Sequence, residues 1–187
     1  MQSAPSVRYG TVSQAFHWAT AIVVLTAFIY GPGGSEQHVY LQQEDAGRQL
    51  HETLGICVFI LAALRLLMRS IATRPEPPQV DRWMGIAANV VQYALYLLLL
   101  ALPLTAIFGA WLEGHALTLL SGIQIPSPIS ASHAFGATLA EIHGWLGDVI
   151  MWLAGLHAIA ALYHHFLLRD QVLISMLPRW FPVRKKQ

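Results

Sequence analysis

The sequence predicts an all-α integral membrane protein, a bundle of four transmembrane helices with both termini in the cytoplasm. Of its 187 residues, 55% are hydrophobic and only 11% are charged, whereas about a quarter of the residues in a soluble domain are charged. Four apolar stretches approach or exceed the length needed to cross a bilayer. They cover residues 13–30, 51–68, 83–111 and 142–168. The loops between them are too short for a soluble domain, so we expect one membrane domain over residues 1–187.

The distribution of basic residues predicts the orientation of the helices. Of the eleven Lys and Arg residues, only Arg48 lies in the first or third loop. Basic residues collect in cytoplasmic loops, so the second loop and both termini are expected in the cytoplasm. The first span carries no cleavable signal pattern and is expected to stay in the membrane. The net charge of +1 indicates no nucleic-acid partner. The other basic residues are Arg8, Arg65, Arg69, Arg74, Arg82, Arg169, Arg179, Arg184, Lys185 and Lys186.

Four histidines lie inside the apolar spans, where ionisable groups are costly and usually functional. His143 and His157 are fourteen residues apart on the fourth span. A helix separates such residues by about 21 Å but points them in nearly the same direction. His17 lies near the inner end of the first span, and His51 lies at the outer end of the second. Depth in the membrane therefore pairs His17 with His157 and His51 with His143, which gives an inner and an outer bis-histidine site.

Two such sites suit haem better than other metals. Haem needs only two axial ligands from the protein, because the porphyrin supplies the other four. Zinc requires four converging ligands, and the lone Cys57 completes neither histidine pair. Glu52 and Glu141 neighbour two of the histidines, so a mononuclear metal at the outer site stays open as an alternative.

Glycines near the histidines are a second unusual feature. Glycine destabilises a helix by about 1 kcal/mol relative to alanine, so a cluster of glycines in apolar helices needs a physical reason. These glycines either leave room for a macrocycle close to the backbone or allow close helix–helix packing. The sequence alone leaves both interpretations open. The residues are Gly55, Gly144, Gly147 and Gly155.

Other polar residues lie in or near the spans. Asp148, in the fourth span, is expected either to relay protons to a quinone or, as we favour, to hydrogen-bond to a neighbouring helix. Near the inner ends of the fourth and second spans lie His164 with His165 and Arg65 with Arg69. Arg65 and Arg69 are expected either beside haem propionates or, as we favour, at the cytoplasmic interface. The residues alone place His164 and His165 at the membrane interface. Three loop histidines are expected to be solvated: His38, His115 and His133.

The motifs around these residues resemble the bacterial cytochrome b561 family of four-helix, dihaem membrane cytochromes. The matching segments run in order through nearly the whole chain and read SQAFHW, LHETLGICVFILAALRLLMR, LYLLLLALPLTA and EIHGWLG…GLHAIAALYHHFLLRDQVLISMLPR. The resemblance implies two haems b, with His17 and His157 as the axial iron ligands of the inner haem and His51 and His143 as those of the outer haem. It also implies that His164 and His165 lie near haem propionates, as an alternative to the membrane interface. It further implies a multi-pass protein of the bacterial inner membrane, surrounded by lipid.

The function that this resemblance implies is electron transfer between a periplasmic donor and the membrane quinone pool, with ubiquinone as a candidate. Some members of the family take electrons from superoxide, which basic outer loops attract. Here the outer loops carry six acidic residues and one basic residue, Arg48. We therefore expect a cationic or protein donor to fit this surface better than superoxide does. The acidic residues are Glu36, Glu44, Asp45, Glu52, Glu113 and Glu141.

Several alternatives stay open. The chain can instead be the haem b membrane subunit of a larger dehydrogenase or hydrogenase complex. A metal or haem carrier that uses the same histidines for transient binding belongs to a different class. The sequence assigns no catalytic residue beyond the haem ligands, and it leaves undecided whether the protein acts as a superoxide oxidase or quinone reductase, and whether it forms a homodimer.

Overall fold

The structure is a computed structural model that describes residues 8–31, 45–71, 80–178 and 180–181. Four of its helices are long and apolar enough to cross a membrane, which confirms the predicted fold class. They are α1 (Thr11–Ile29), α2 (Asp45–Ile71), α3 (Arg82–Leu112) and α4 (His133–Tyr163). Some residues named above lie outside the described residues: Glu36, His38, Glu44, Arg74, Arg179, Arg184, Lys185 and Lys186.

Two helices begin earlier than the hydropathy pattern predicts. Helix α2 begins at Asp45 rather than at His51, and α4 begins at His133 rather than at Ile142. The expectation that His133 lies in a loop is therefore wrong, because it is the first residue of α4. The added turns are mixed or polar in sequence, so hydropathy does not detect them. They nevertheless contain alanine, leucine, glutamine and glutamate, which favour helix.

The order of the helices defines two ends of the bundle. We call the end that carries residues 8–10 and 170–181 the inner end and the opposite end the outer end. The inner end of α4 continues into a π-helical turn, His164–Leu168, and a short helix, α5 (Val172–Ser175). Arg169 ends the turn in the left-handed conformation, with φ of 53°, so the chain reverses there towards the start of α1.

The third loop, between α3 and α4, contains a small antiparallel hairpin. Strand β1 (Leu117–Thr118) pairs with β2 (Gln124–Ile125). Gly122 has φ of 79°, a left-handed conformation that glycine adopts without strain. The amide of Thr118 donates a hydrogen bond to Oε2 of Glu52 at 2.5 Å. This outer hairpin (residues 117–125) is therefore attached to α2 immediately beside His51.

The helices pack unevenly within the described part of the chain. Helix α4 packs extensively on α3, and α1 on α2, whereas α4 contacts α1 and α2 only sparsely. Gly136 permits the close approach of α4 to α3, because a Cβ there would lie only 2.5 Å from Cγ of Glu113. Ile150 packs with Val58 and Ala62 of α2 in the buried core cluster. Helix α4 thus meets α2 in a buried cluster midway between its two histidines.

Candidate functional site

The predicted histidine pairs come together in space. The rings of His51 and His143 have their centroids 5.9 Å apart at an interplanar angle of 86°. The rings of His17 and His157 have their centroids 6.4 Å apart at 75°. Both pairs use α4, one ring at each level, because fourteen residues return a helix to nearly the same face. Each pair lies between α4 and α1 or α2, the two helices against which α4 packs only sparsely.

Neighbouring backbone fixes both rings of the outer pair. The Nδ1 of His51 donates a hydrogen bond to the carbonyl of Ala27 on α1 at 2.8 Å. The Nδ1 of His143 donates to the carbonyl of Leu102 on α3 at 2.9 Å. In a neutral imidazole, an Nδ1 that carries the proton leaves the Nε2 lone pair available to a metal. Both Nε2 atoms of the outer pair are therefore prepared for coordination.

Gly31, just beyond the end of α1, leaves the space in which the His51 ring lies. A Cβ at Gly31 would lie 3.2 Å from Cε1 and 3.3 Å from Nδ1 of His51, which is tighter than ordinary van der Waals contact. Because Ala27 and Gly31 are one helical turn apart, the same turn both accepts the hydrogen bond of the ring and makes room for it. Sequence reasoning missed Gly31, although it belongs to the run GPGG directly after the first span.

The inner pair has different surroundings. No hydrogen bond from a ring nitrogen of His17 or His157 is found among the described residues. Trp18 packs edge-on against His17, with centroids 5.4 Å apart. Arg65, from the inner end of α2, lies within electrostatic range of both rings. The inner rings are thus held by packing, with a cation nearby.

A set of hydrogen bonds closes the inner end beneath His17. The buried side chain of Gln14 donates from Nε2 to the carbonyls of Ser175, at 3.1 Å, and Leu177, at 2.9 Å. Trp18 donates from Nε1 to the carbonyl of Met176 at 2.9 Å. Arg8 adds a 2.8 Å bond to the carbonyl of Pro178. We call these contacts between residues 8–18 and 175–181 the inner clasp.

The four glycines near the histidines do not mediate close helix packing. A Cβ added at any of them would meet no atom within 4 Å, once neighbouring residues and the backbone of the same helix are set aside. Open space beside the histidines favours the first of the two sequence interpretations, room for a flat ligand. The residues are Gly55, Gly144, Gly147 and Gly155.

At the outer end, the basic residue Arg48 is buried and paired. Its Nη1 lies 2.8 Å from Oε1 of Glu52, one turn further along α2. Burial, with smaller contributions from the Arg48 guanidinium and His133, lowers the pKa of His115 from its usual value. The structure places His115 half-buried, rather than solvated as expected. The outer loops contain no other Lys or Arg.

The polar residues at the inner end make two kinds of contact, an ion pair and cation–π contacts. His164 pairs with Asp170, with 2.5 Å between Nδ1 and Oδ2. The guanidinium groups of Arg65 and Arg69 stack on the ring of Tyr96 at 5.7 and 5.5 Å from its centroid. Tyrosine faces attract cations, so these arginines have partners at the inner interface without any ligand.

Asp148 does not behave as the favoured interpretation expected. Within the described residues it makes no hydrogen bond or ion pair to a neighbouring helix. Its side chain is exposed on α4 and borders an open groove of about 400 Å³ between α1 and α4. The groove is lined by Phe28, Asp148, Met151, Trp152 and Gly155.

The mononuclear metal alternative at the outer site finds no support in the geometry. In the parts of the chain that the structure describes, no group of three or more His, Cys, Asp or Glu side chains converges as a metal site requires. Glu52 is instead engaged by Arg48 and by the outer hairpin. The arrangement that remains is two separate pairs of imidazoles.

Comparison with known proteins agrees with this arrangement. The family model of prokaryotic cytochrome b561 matches residues 8–179. The chain is 30% identical to cytochrome b561 homolog 2 of Escherichia coli (strain K12), over 91% of each protein. It is 26% identical to a protein of Yersinia pestis named probable superoxide oxidase CybB, over 92% of this chain and 97% of that protein. It is also 28% identical to cytochrome b562 of Cereibacter sphaeroides, over 90% and 94%.

The match to the family model covers all four long helices and both histidine pairs. The four candidate spans agree with a protein that crosses the membrane several times. From these findings, the chain belongs to the prokaryotic cytochrome b561 family, whose members are haem-binding electron-transport proteins of the bacterial inner membrane.

Proposed function

We propose that the protein is a dihaem cytochrome that transfers electrons between a donor on the periplasmic side and the membrane quinone pool. In this proposal, His17 and His157 would hold one haem b, and His51 and His143 would hold the other. The observation that carries the proposal is the pairing of histidine rings at two levels of α4. One haem alone would not span the membrane, whereas two at different depths provide a relay.

The spacing of the rings fits two imidazoles on one iron. Metal–imidazole bonds of about 2 Å, with each nitrogen about 1 Å from its ring centre, separate the two ring centres by about 6 Å. The centroid distances of 6.4 and 5.9 Å agree with this value. The outer hydrogen bonds to Ala27 and Leu102 supply the support that metal-binding histidines usually have.

Haem b with two histidine ligands supplies one-electron transfer, because no coordination position is left for oxygen. The residues of the chain then have three tasks. His51 and His143 would hold the haem through Nε2, because their Nδ1 atoms donate hydrogen bonds to backbone carbonyls. The cation Arg65 favours negative charge near the inner pair. The apolar core around Ile150 separates the two levels.

The charge of the outer end favours a donor that is a cation or a protein. Arg48 is buried against Glu52, so its charge is compensated before any donor arrives. The outer loops carry acidic residues and no other Lys or Arg. Such a surface repels small anions and attracts cations over about 8 Å at physiological ionic strength.

Superoxide is a second candidate donor, because a relative is named probable superoxide oxidase. The two candidates differ in their dependence on salt. We expect a superoxide reaction to be slow at low ionic strength and to accelerate as salt screens the acidic outer face. A fast superoxide-dependent quinone reduction that salt slows down would contradict the preference for a cationic or protein donor.

The quinone step is tested with the haem-loaded protein in detergent. Haem is reduced with dithionite, the excess reductant is removed, and decylubiquinone is added while the haem spectrum is followed. We expect reoxidation within seconds, and a stable reduced spectrum would overturn the quinone part of the proposal.

Firm retention of haem during purification would exclude a carrier, and copurification of a dehydrogenase would favour the rival role as a subunit.

Both termini are proposed to lie in the cytoplasm, on the basis of the basic residues alone. A C-terminal fusion to green fluorescent protein is expected to fluoresce, and a fusion to alkaline phosphatase at the same position is expected to be inactive. The reverse pair of results would invert the topology. The single membrane domain over residues 1–187 stays a prediction, and the homodimer stays undecided.

A further inference from the structure

We propose that the tip of the outer hairpin (residues 120–123) inserts into the outer leaflet of the bilayer, where its hydrogen bonds to α2 hold it at a fixed depth. The partner of this surface is lipid, at the boundary between the headgroups and the acyl chains. The hairpin belongs to a loop between two spans, so hydropathy alone does not assign it to the membrane. The inference does not depend on the proposed function.

The hairpin is attached to α2 at the level of the outer histidine pair. The amide of Thr118 donates to the carboxylate of Glu52, and the amide of Leu120 donates to Oγ1 of Thr53 at 2.9 Å. Both acceptors lie within the apolar candidate span of α2. Thr53 is about 3 Å further into that span than His51, because a helix rises 1.5 Å per residue. The hairpin therefore folds back along α2 towards the bilayer.

The tip lies on the side of α2 that faces away from the histidine site. Thr53 is turned about 160° from His51 around the helix axis, because each residue rotates a helix by about 100°. Ile60 and Leu64 follow Thr53 by seven and eleven residues, so they share its face. Both side chains are exposed. This face is therefore the lipid-facing side of α2, and the tip continues it outward.

The composition of the segment suits lipid and not a charged partner. Residues 114–140 contain no Asp, Glu, Lys or Arg, and the six acidic residues of the outer loops all lie outside this range. At the tip, Leu120 is 55% exposed and Ile123 is 59% exposed, whereas Leu117 at the base of the hairpin is buried. An uncharged apolar tip gains free energy at the boundary of the acyl chains.

The backbone of the tip is hydrogen-bonded without water. Polar backbone groups need protein partners wherever water is scarce in a bilayer. The amide of Leu119 donates to the carbonyl of Ile123, and the amide of Gly122 donates to the carbonyl of Leu119, both at 2.8 Å. The amides of Thr118 and Leu120 are bonded to α2. These amides can therefore enter the outer leaflet without losing a partner.

Glu52 is a charged residue at the same level, and its charge is compensated. Its Oε1 lies 2.8 Å from Nη1 of Arg48, and its Oε2 accepts the amide of Thr118. Charged groups within membrane spans usually have such partners. The ion pair is therefore compatible with a hairpin that lies at the membrane interface.

The depth of the tip is tested by fluorescence quenching. Ile123→Cys is made in a Cys57→Ala background, labelled with the fluorophore NBD and placed in phosphatidylcholine nanodiscs, with or without bromine on the upper part of the acyl chains. The ratio of the two intensities cancels any quenching by haem. Ala46→Cys is the matched control, because Ala46 is exposed on the same face of α2 but about 10 Å further out than Thr53. We expect bromine to quench the label at Ile123 at least about threefold more strongly.

Two results would overturn the inference. Quenching at Ile123 that is as weak as at Ala46 would show that the tip lies in water. Emission at Ile123 that is shifted to the blue but not quenched by bromine would show that protein, such as a second copy of the chain, covers the tip. Circular dichroism checks that the helix content of each variant is unchanged, and Leu120→Cys provides a second label position if Ile123→Cys does not fold.

The attachment to α2 is tested with the same label. Thr53→Val removes the hydroxyl that accepts the amide of Leu120, so we expect quenching by bromine to fall by about half as this amide loses its partner. Thr26→Val is the matched control. The Thr26 hydroxyl bonds to the carbonyl of Ile22 in its own helix, as the Thr53 hydroxyl does to that of Gln49. Equal quenching in the two variants would contradict the role of α2 in holding the tip.

Discussion

The inner and outer histidine pairs have similar ring spacing but are held by different parts of the molecule. In the outer pair, backbone carbonyls of α1 and α3 hold both rings through Nδ1. In the inner pair, no such bond is found among the described residues, and the inner clasp holds the helix end that carries His17. The outer rings are thus held by hydrogen bonds to the backbone, whereas the inner rings are held by packing.

This difference leads to the first prediction, which concerns haem release. When the haem-loaded protein is mixed with excess apomyoglobin, we expect the inner haem to leave first. Hydrogen bonds that support metal-binding histidines contribute about 10- to 100-fold in affinity, so the outer haem should leave at least about tenfold more slowly. Spectra of His143→Ala and His157→Ala, each lacking one haem, identify which haem has left. Equal release rates, or earlier release of the outer haem, would remove the distinction between the pairs.

The second prediction changes only the outer pair. Gly31→Ala places a Cβ 3.2 Å from Cε1 of His51 and should displace its ring from the Ala27 carbonyl. Such overpacking costs about 1–3 kcal/mol, so we expect the affinity for the outer haem to fall about tenfold, with the inner haem unaffected. Haem content and a redox titration measure both.

Gly47→Ala, on α2 where a Cβ meets nothing within 4 Å, is the matched control for Gly31→Ala. It should leave both haems in place, because alanine only favours the helix there. An equal loss of the outer haem in the control would show that His51 is not held by the turn of Gly31.

The third prediction changes only the inner pair. Gln14→Leu removes the two hydrogen bonds to the carbonyls of Ser175 and Leu177. Unsatisfied buried groups cost about 1–3 kcal/mol, and part of that cost should loosen α1 at His17 and accelerate release of the inner haem severalfold. Gln49→Leu, at the outer end of α2, is the control and should not change the inner haem. Release of the outer haem in Gln14→Leu would show that the inner clasp acts on the whole bundle.

The smallest effect is expected at Thr105. Its Oγ1 lies 3.4 Å from Nδ1 of His143, whereas the Leu102 carbonyl lies at 2.9 Å. Because the longer contact is a weak hydrogen bond at most, Thr105→Val should change the outer haem potential and affinity very little, by less than about 0.5 kcal/mol. A large shift in the redox titration would mean that Thr105, and not the backbone, orients His143.

Much of the fold could be predicted from the sequence, because apolar length and basic residues act locally. The four spans and the pairing of the histidines follow from hydropathy, depth and helical periodicity. The first turns of α2 and α4 were missed, because Arg48 and the residues after His133 are polar or mixed although they favour helix. The outer hairpin was missed because its two strands are only two residues each.

The supporting contacts of the site could not be predicted in the same way. The carbonyls of Ala27 and Leu102 are backbone groups, so no residue type marks them. The role of Gly31 depends on where the ring of a residue on another helix lies. The favoured hydrogen bond of Asp148 was wrong, because its side chain borders an open groove between α1 and α4 and contacts no polar group of a neighbouring helix within the described residues. Each of these depends on how two helices are placed relative to each other.

The most direct test of the two-site account is the haem content per chain, measured by pyridine haemochrome against protein concentration. The same measurement is made on the purified wild type, His143→Ala and His157→Ala. The account predicts two haems b in the wild type and one in each variant, with the remaining haem differing in its spectrum. One haem in the wild type, or an unchanged content in either variant, would contradict the assignment of two bis-histidine sites.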